Sequence, residues 1–308
     1  MKKILCICLS ATYQRTVTFN DLQLEKVNRS LCYRLDASGK AINSARVLNQ
    51  LEEGCVEALC PLGEDNINEF TSLAEEDKLP LAYVTIPGKT RTCWTLLDKE
   101  KGTTTELVVG EPDISHYDKE KIQIAEVKLL KYLNEKLSEV DAVLLAGSRP
   151  SWWSEDLYSA ICGIVKDKGK LFLADYTGRD LLNTIEAIPP DIIKINEDEY
   201  MATFGLKKNQ ENFTTVEFKQ HIIDKSIALN NIVIVTRGTY STYAANKGKF
   251  YECPSEKVKA INTTACGDSF NSGFLYEYLN TGDMEKALEK GTWCAARNAE
   301  QEAPGSLY

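Results

Sequence analysis

The chain has 308 residues, 43% hydrophobic and 26% charged, which leaves room for one large domain or two smaller ones and for a core without disulfide or metal staples. Its 36 Lys and Arg against 45 Asp and Glu give a net charge of −9, which argues against nucleic acid as the main partner. No stretch approaches the ~20 apolar residues of a membrane span. Ten cysteines without C-x-x-C spacing, and only two histidines (His116 and His221), argue against the usual zinc sites and suggest reduced thiols in a cytoplasmic protein.

The first 15 residues imitate a signal peptide, but the apolar run 3–9 is short and reads better as a buried central strand. Residues 15–36 mix polar and apolar side chains at period two and suggest exposed strands. Helical spacing follows over 39–51, where Ala41, Ala45, Leu48 and Leu51 share a face. Next come a strand at 56–60, a helix at 64–76 and strand-like segments at 81–86, 90–97 and 103–109, parted by Pro87-Gly88 and Lys101-Gly102.

From 118 onward helices and strands alternate. Helices at 118–138, 154–167 and 178–185 precede strands at 142–146, 170–174 and 192–195. Helices at 196–204 and 215–229 precede a strand at 232–236 and an antiparallel-looking pair at 241–245 and 250–253. Helices at 267–280 and 283–299 close the chain. This rhythm predicts a three-layer α/β fold with a mostly parallel central sheet. The strand-rich patches at 12–36 and 82–109 break it and are expected to form a small separate sheet.

Ligands of such sheets sit beyond the carboxyl ends of the strands, on helix N-termini. Four strand-to-helix or strand-to-strand turns therefore matter. Asn262 to Phe270 brings small residues into a helix whose N–H groups would meet an anion; Asp268 either accepts a proton from an attacking hydroxyl or merely complements the helix dipole. Ala37 to Asn43 offers a close backbone approach and one cation, Lys40, to a sugar or phosphate, or Ser38 is a plain helix cap. Its glycine spacing is not that of a Walker A loop. Lys194 to Glu199 has carboxylates suited to magnesium through water, or to an ordinary capped first turn. Val235 to Ser241 is a glycine turn of weak meaning alone, and Arg91 and Arg149 are isolated cations near strand ends.

The order of these turns resembles the ribokinase-like (PfkB) sugar kinases, in particular the branch of 1-phosphofructokinase and tagatose-6-phosphate kinase. The residues that carry it are SGKAINSARVL at 38–48, GKTR at 88–91, AGSRP at 146–150, DYTGRDLL at 175–182, KINEDE at 194–199, TRGTYS at 236–241, TACGDSF at 264–270 and PGSL at 304–307, so the likeness spans essentially the whole chain. It implies a single ribokinase-like domain over 1–308, with a β-sheet lid drawn from 12–36 and 82–109 that in related kinases pairs into a homodimer.

The resemblance further implies ATP and Mg²⁺ as cofactors and a sugar or sugar phosphate as substrate. Asp268 would be the base, and Ala265, Cys266, Gly267 and Asp268 the anion hole. Gln14, Gly39, Lys40, Asn43, Arg91 and Arg149 would face the sugar phosphate. Lys194, Thr236, Gly238, Ser241, Thr264 and Asn298 would line the nucleotide, and Asn196 and Glu199 would help place Mg²⁺.

Several positions depart from the family pattern. Gln14 stands where an Asp grips sugar hydroxyls, Arg149 where Leu is usual, and Ala41 and Ser241 where Gly is common. Ala265 replaces the first Gly of Gly-Ala-Gly-Asp, which costs about 1 kcal/mol if the turn needs positive φ. Two alternatives follow from these departures: a kinase for a free sugar or nucleoside, and a ligand-binding protein with weak catalysis.

Overall fold

The computed structural model describes residues 1–112, 119–206 and 214–308. In chain order the elements are β1 (Ile4–Ile7), β2 (Thr12–Phe19), β3 (Cys32–Ser38), α1 (Lys40–Leu51), β4 (Val56–Gly63), α2 (Ile67–Glu76), β5 (Leu81–Ile86), β6 (Arg91–Asp98) and β7 (Thr103–Leu107). Then follow α3 (Lys119–Lys136), β8 (Ala142–Ala146), α4 (Leu157–Asp167), β9 (Leu171–Asp175), α5 (Gly178–Ala187), β10 (Ile192–Asn196), α6 (Glu197–Thr203) and α7 (Thr215–Ala228). Last are β11 (Ile232–Arg237), β12 (Tyr240–Asn246), β13 (Lys249–Cys253), α8 (Cys266–Thr281) and α9 (Met284–Ala299).

The large sheet has the order β13-β12-β11-β10-β9-β8-β1-β4-β5. All its pairings are parallel except those made by β12 with β11 and with β13. Covered on both faces, the central strands β1 and β8 are apolar throughout, and successive residues of β1 serve opposite cores. Leu5 and Ile7 join α3, α4, α5, α6 and α7 on one side, whereas Ile4 and Cys6 join α1, α2, α8 and α9 on the other. The three-layer fold expected from the sequence is the one observed. The expected 118–138 helix is seen over α3, and its first residue lies outside the described segments.

The small sheet has the order β3-β2-β6-β7. One expectation is corrected here: β5, grouped by sequence with the second strand-rich patch, belongs to the large sheet as its parallel edge strand against β4. Its pattern is that of a half-covered strand, and only the long-range pairing decides which sheet it joins. The register of the small sheet positions the site. Thr12 pairs with Ser38 on one side and with Arg91 on the other, so the start of β2, the end of β3 and the start of β6 lie in one row.

Candidate functional site

The row formed by Thr12, Ser38 and Arg91 lies beside the N-terminus of α1, and Gly39 is what lets that helix come so close. Its φ is 133°, and a Cβ there would stand 2.7 Å from Cys8 Sγ and 3.3 Å from the Ser10 carbonyl. Around the same point converge the carboxyl ends of β9, at Asp175, and β10, at Asn196, with the first turn of α8.

Ala265 caps α8 in the left-handed region, with φ 65° and ψ 9°, the conformation whose cost in a residue with a Cβ the sequence anticipates. The turn is held from behind by Asn298, which is fully buried: its Nδ2 donates to the Thr264 carbonyl at 2.8 Å and to Cys266 Sγ at 3.4 Å, while its Oδ1 accepts from the Gly305 amide at 2.7 Å. Cys266 N–H donates back to the Thr263 carbonyl at 3.3 Å. The Gly267 and Asp268 amides belong to a first turn, where no carbonyl of the helix is within reach. Gly267 is also crowded by Lys194, whose ammonium lies 2.9 Å from where a Cβ would be and donates to the Gly267 carbonyl at 3.2 Å.

Asp268 is buried in that first turn, and Asn43 of α1 donates from Nδ2 to its Oδ2 at 2.9 Å. The Asn43 amide has its orientation fixed, because its Oδ1 accepts from Ser38 Oγ at 2.8 Å and from Arg46 Nη1 at 3.2 Å. Nearby, Asp175 has no exposure at all and receives Lys40 Nζ at 3.1 Å, Lys194 Nζ at 3.3 Å and Asn271 Nδ2 at 2.6 Å. Lys40 also reaches Glu199 Oε1 at 3.4 Å.

These contacts separate two buried carboxylates. Burial alone would raise Asp175, but the ammonium groups of Lys194 and Lys40 overcome it and hold the carboxyl at about 2. Burial pushes Asp268 up to about 7 against the pull of Lys40, with the charge on Asp175 adding to the rise. Burial would lower Lys40, but Asp175, Glu199 and Asp268 keep it above the usual lysine range. One carboxylate is a permanent anion; the other gains and loses a proton near neutrality, which suits a general base.

Other sequence-predicted residues are distributed as follows. Asn196 and Glu199 form a capping box, Glu199 N–H to Asn196 Oδ1 and Asn196 N–H to Glu199 Oε2, each at 2.8 Å. Their oxygens suit a hard divalent cation that keeps most of its waters. Among the described residues no cluster of three His, Cys, Asp or Glu forms a closed metal cage. Thr236 is the penultimate residue of β11, Gly238 takes φ 60° in the turn that follows, and Ser241 is half-buried on β12.

Gln14 Nε2 donates to Thr95 Oγ1 at 2.8 Å, and that hydroxyl lies 3.2 Å from Thr264 Oγ1. Thr264 donates in turn to Glu106 at 2.7 Å, so the small sheet is stitched to the turn before α8. Arg91 meets the Val109 carbonyl at 2.9 Å and Glu111 at 3.3 Å. Arg149 does not join the cluster. It is bound to Asp180 at 2.9 Å and to the Trp153 carbonyl at 2.9 Å.

Sequence reasoning missed Asp175, Asn271, Arg46, Glu106 and Glu111. Only Asp175 left a signal, a carboxylate closing the apolar strand LFLAD, where an unpaired charge would be costly.

A buried carboxylate at a helix N-terminus thus stands beside a second carboxylate gripped by two lysines and across from a capped acidic turn, on a three-layer α/β scaffold. The family model described as pfkB family carbohydrate kinase matches residues 1–307, and the chain belongs to that family. It is 26% identical over 305 residues to a tagatose-6-phosphate kinase of Staphylococcus epidermidis, covering 99% of this chain and 94% of that one. The fold is shared with phosphofructokinase-2 from Escherichia coli in complex with potassium, at a TM-score of 0.82 and 17% identity, covering 99% of this chain and 94% of that one. It is also shared with a possible 1-phosphofructokinase from Thermotoga maritima, at a TM-score of 0.82 and 17% identity, covering 99% and 93%.

Proposed function

We propose that this sugar kinase transfers the terminal phosphoryl group of magnesium-bound ATP to a hydroxyl of a phosphorylated ketohexose, with Asp268 as general base. The observation that carries the reading is the buried Asp268 carboxylate, raised to about 7 in the first turn of α8 and held by Asn43. The acceptor hydroxyl gives its proton to Asp268 as its oxygen bonds to phosphorus, and the bond to the leaving ADP oxygen breaks. The Gly267 and Asp268 amides, with Lys194 behind them, offset charge on the transferred group.

Asn196 and Glu199 would hold Mg²⁺ through oxygen and water; when bound, the ion neutralises charge on the nucleotide phosphates. Lys194, Thr236, Gly238, Ser241 and Thr264 lie on the nucleotide side, and Asn298 supports the anion-hole turn. Gly39, Lys40 and Asn43 lie on the acceptor side, Arg91 reaches from the small sheet acting as a lid, and Gln14 supports that sheet through Thr95. The lid's outward face, with Tyr33 and Leu107 half-exposed and Arg15 stacked 5.3 Å from the Trp94 ring, is the surface we assign to a homodimer, tested by light scattering of the purified chain.

A second reading, a kinase for an unphosphorylated sugar, draws on the carboxylates that already face Lys40 and Arg91. One experiment separates the two: ADP release from Mg·ATP with fructose 1-phosphate, fructose 6-phosphate, tagatose 6-phosphate, free hexoses, ribose and nucleosides. Turnover confined to one sugar phosphate supports the first reading. Turnover confined to free sugars supports the second, and silence throughout overturns both.

A further inference from the structure

Arg91 stands in a small cavity lined also by Ser10, Lys89, Thr90, Glu111 and Trp152. The cavity is rich in donors. Arg91 Nη1 is engaged by the Val109 carbonyl and by Glu111, yet its buried Nε has no hydrogen-bond partner among the described residues. The Trp152 indole Nε1 is likewise buried and without one. Ser10 Oγ donates to Glu111. Set against the guanidinium, the Lys89 ammonium, the indole N–H and the hydroxyl, the one acidic side chain lining the cavity among the described residues is Glu111.

That pattern is an anion site that already holds an anion, and the anion is tethered. Glu111 lies four residues beyond the end of β7, a strand of the small sheet, while Ser10 leads out of β1 and Arg91 opens β6. An Arg guanidinium can grip only so many oxygens in its fork, and a carboxylate and a phosphate ask for the same N–H groups. The two cannot occupy Arg91 and Ser10 together without strong like-charge repulsion across a partly desolvated contact.

We propose that Glu111 is a specificity-determining residue: its carboxylate competes with the acceptor's phosphate for Arg91 and Ser10, so a phosphorylated acceptor binds by displacing it. The inference rests on the reading of Arg91 as the lid's ligand for that phosphate. Residue 111 then sets how far the site prefers phosphorylated over unphosphorylated acceptors. With the carboxylate present the preference is compressed; with a neutral side chain it widens. Glu111→Gln keeps the shape and a hydrogen-bond acceptor but removes the charge, and Glu111→Ala removes both.

The test is calorimetric titration of fructose 6-phosphate, tagatose 6-phosphate and fructose into the full chain and both variants, with ADP release measured alongside. The ratio of the Kd for fructose to the Kd for a sugar phosphate should rise about tenfold in Glu111→Gln, and in Glu111→Ala as well. An unchanged ratio in both variants overturns the proposal. So does a ratio that falls, because then Glu111 orients Arg91 rather than competing for it. A rise in the ratio without ADP release from any protein upholds the competitor and removes fructose 6-phosphate and tagatose 6-phosphate as acceptors. ADP release with an unchanged ratio does the reverse.

Discussion

Asn43 Nδ2 on α1 donates to Asp268 Oδ2 on α8 at 2.9 Å, so the helix that carries Lys40 also holds the carboxylate proposed as base. The bond is directional, because Ser38 and Arg46 occupy Asn43 Oδ1 and leave the amino group toward Asp268. A donor of this kind favours the ionised carboxylate. Asn43→Leu should therefore raise the Asp268 pKa further above 7. The acid limb of kcat/KM should move up by about one pH unit, with activity recovering at pH 9 more than at pH 7. An unmoved limb with a uniformly lower rate would reduce Asn43 to a packing role.

Asp268 itself links catalysis to stability. The carboxyl titrates near 3.8 when exposed and near 7 in the fold. Between those values the folded chain binds the proton more tightly than the unfolded chain does. Stability from this group is therefore full below about pH 4, falls as pH rises to 7 and stays low above. Asp268→Asn should lower kcat by at least ~10²-fold. It should also raise Tm at pH 8, a gain that fades as the pH is brought to 4. Thermal melts at the two pH values check this; an equal or lower Tm at pH 8 would mean that burial of the charge costs the fold little.

The parts of this site that were legible in the sequence are those made by consecutive residues. The turn before α8 could be read because helix N-termini leave free N–H groups and Asp268 sits in the first turn. The αL geometry at Ala265 is signalled only by the glycine that the resembled family carries there. What escaped depends on side chains meeting across the fold. Asn43 carries no sequence sign of its bonds to Arg46 and Asp268, a relation set by α1 packing on α8. Arg149 reads from sequence either as an anion ligand or as a surface cation, and it is Asp180 of α5 that takes its guanidinium. β5 carries a strand pattern that suits either sheet, and only its pairing with β4 decides.

Ala265 offers a stability measurement free of titration. A residue with a Cβ held at φ 65° costs roughly 1–2 kcal/mol, part of which a glycine gives back through its larger unfolded-state entropy. Ala265→Gly should stabilise the fold by about 1 kcal/mol net, or raise Tm by roughly 1–2 °C for a chain of this size. Denaturant midpoints at constant m-value provide the check, and a loss of stability would show that the Ala265 methyl makes packing contacts worth more than the backbone strain.

Lys40 separates the acceptor readings from the electrostatics of the base. Its ammonium lies 3.1 Å from Asp175 and 3.4 Å from Glu199, and after burial it has the largest influence on the Asp268 carboxyl. Lys40→Met removes a positive charge that favours the ionised base, so the Asp268 pKa should climb and the acid limb of the kcat profile should shift upward. That shift should appear with every acceptor that is turned over, since it arises within the protein. KM behaves differently. If Lys40 meets the acceptor's phosphate, KM for the sugar phosphate should rise on the order of tenfold or more, while KM for a neutral sugar stays near its original value. A limb shift without any change in KM would assign Lys40 to tuning Asp268 and Asp175 alone, leaving Arg91 as the acceptor-side cation.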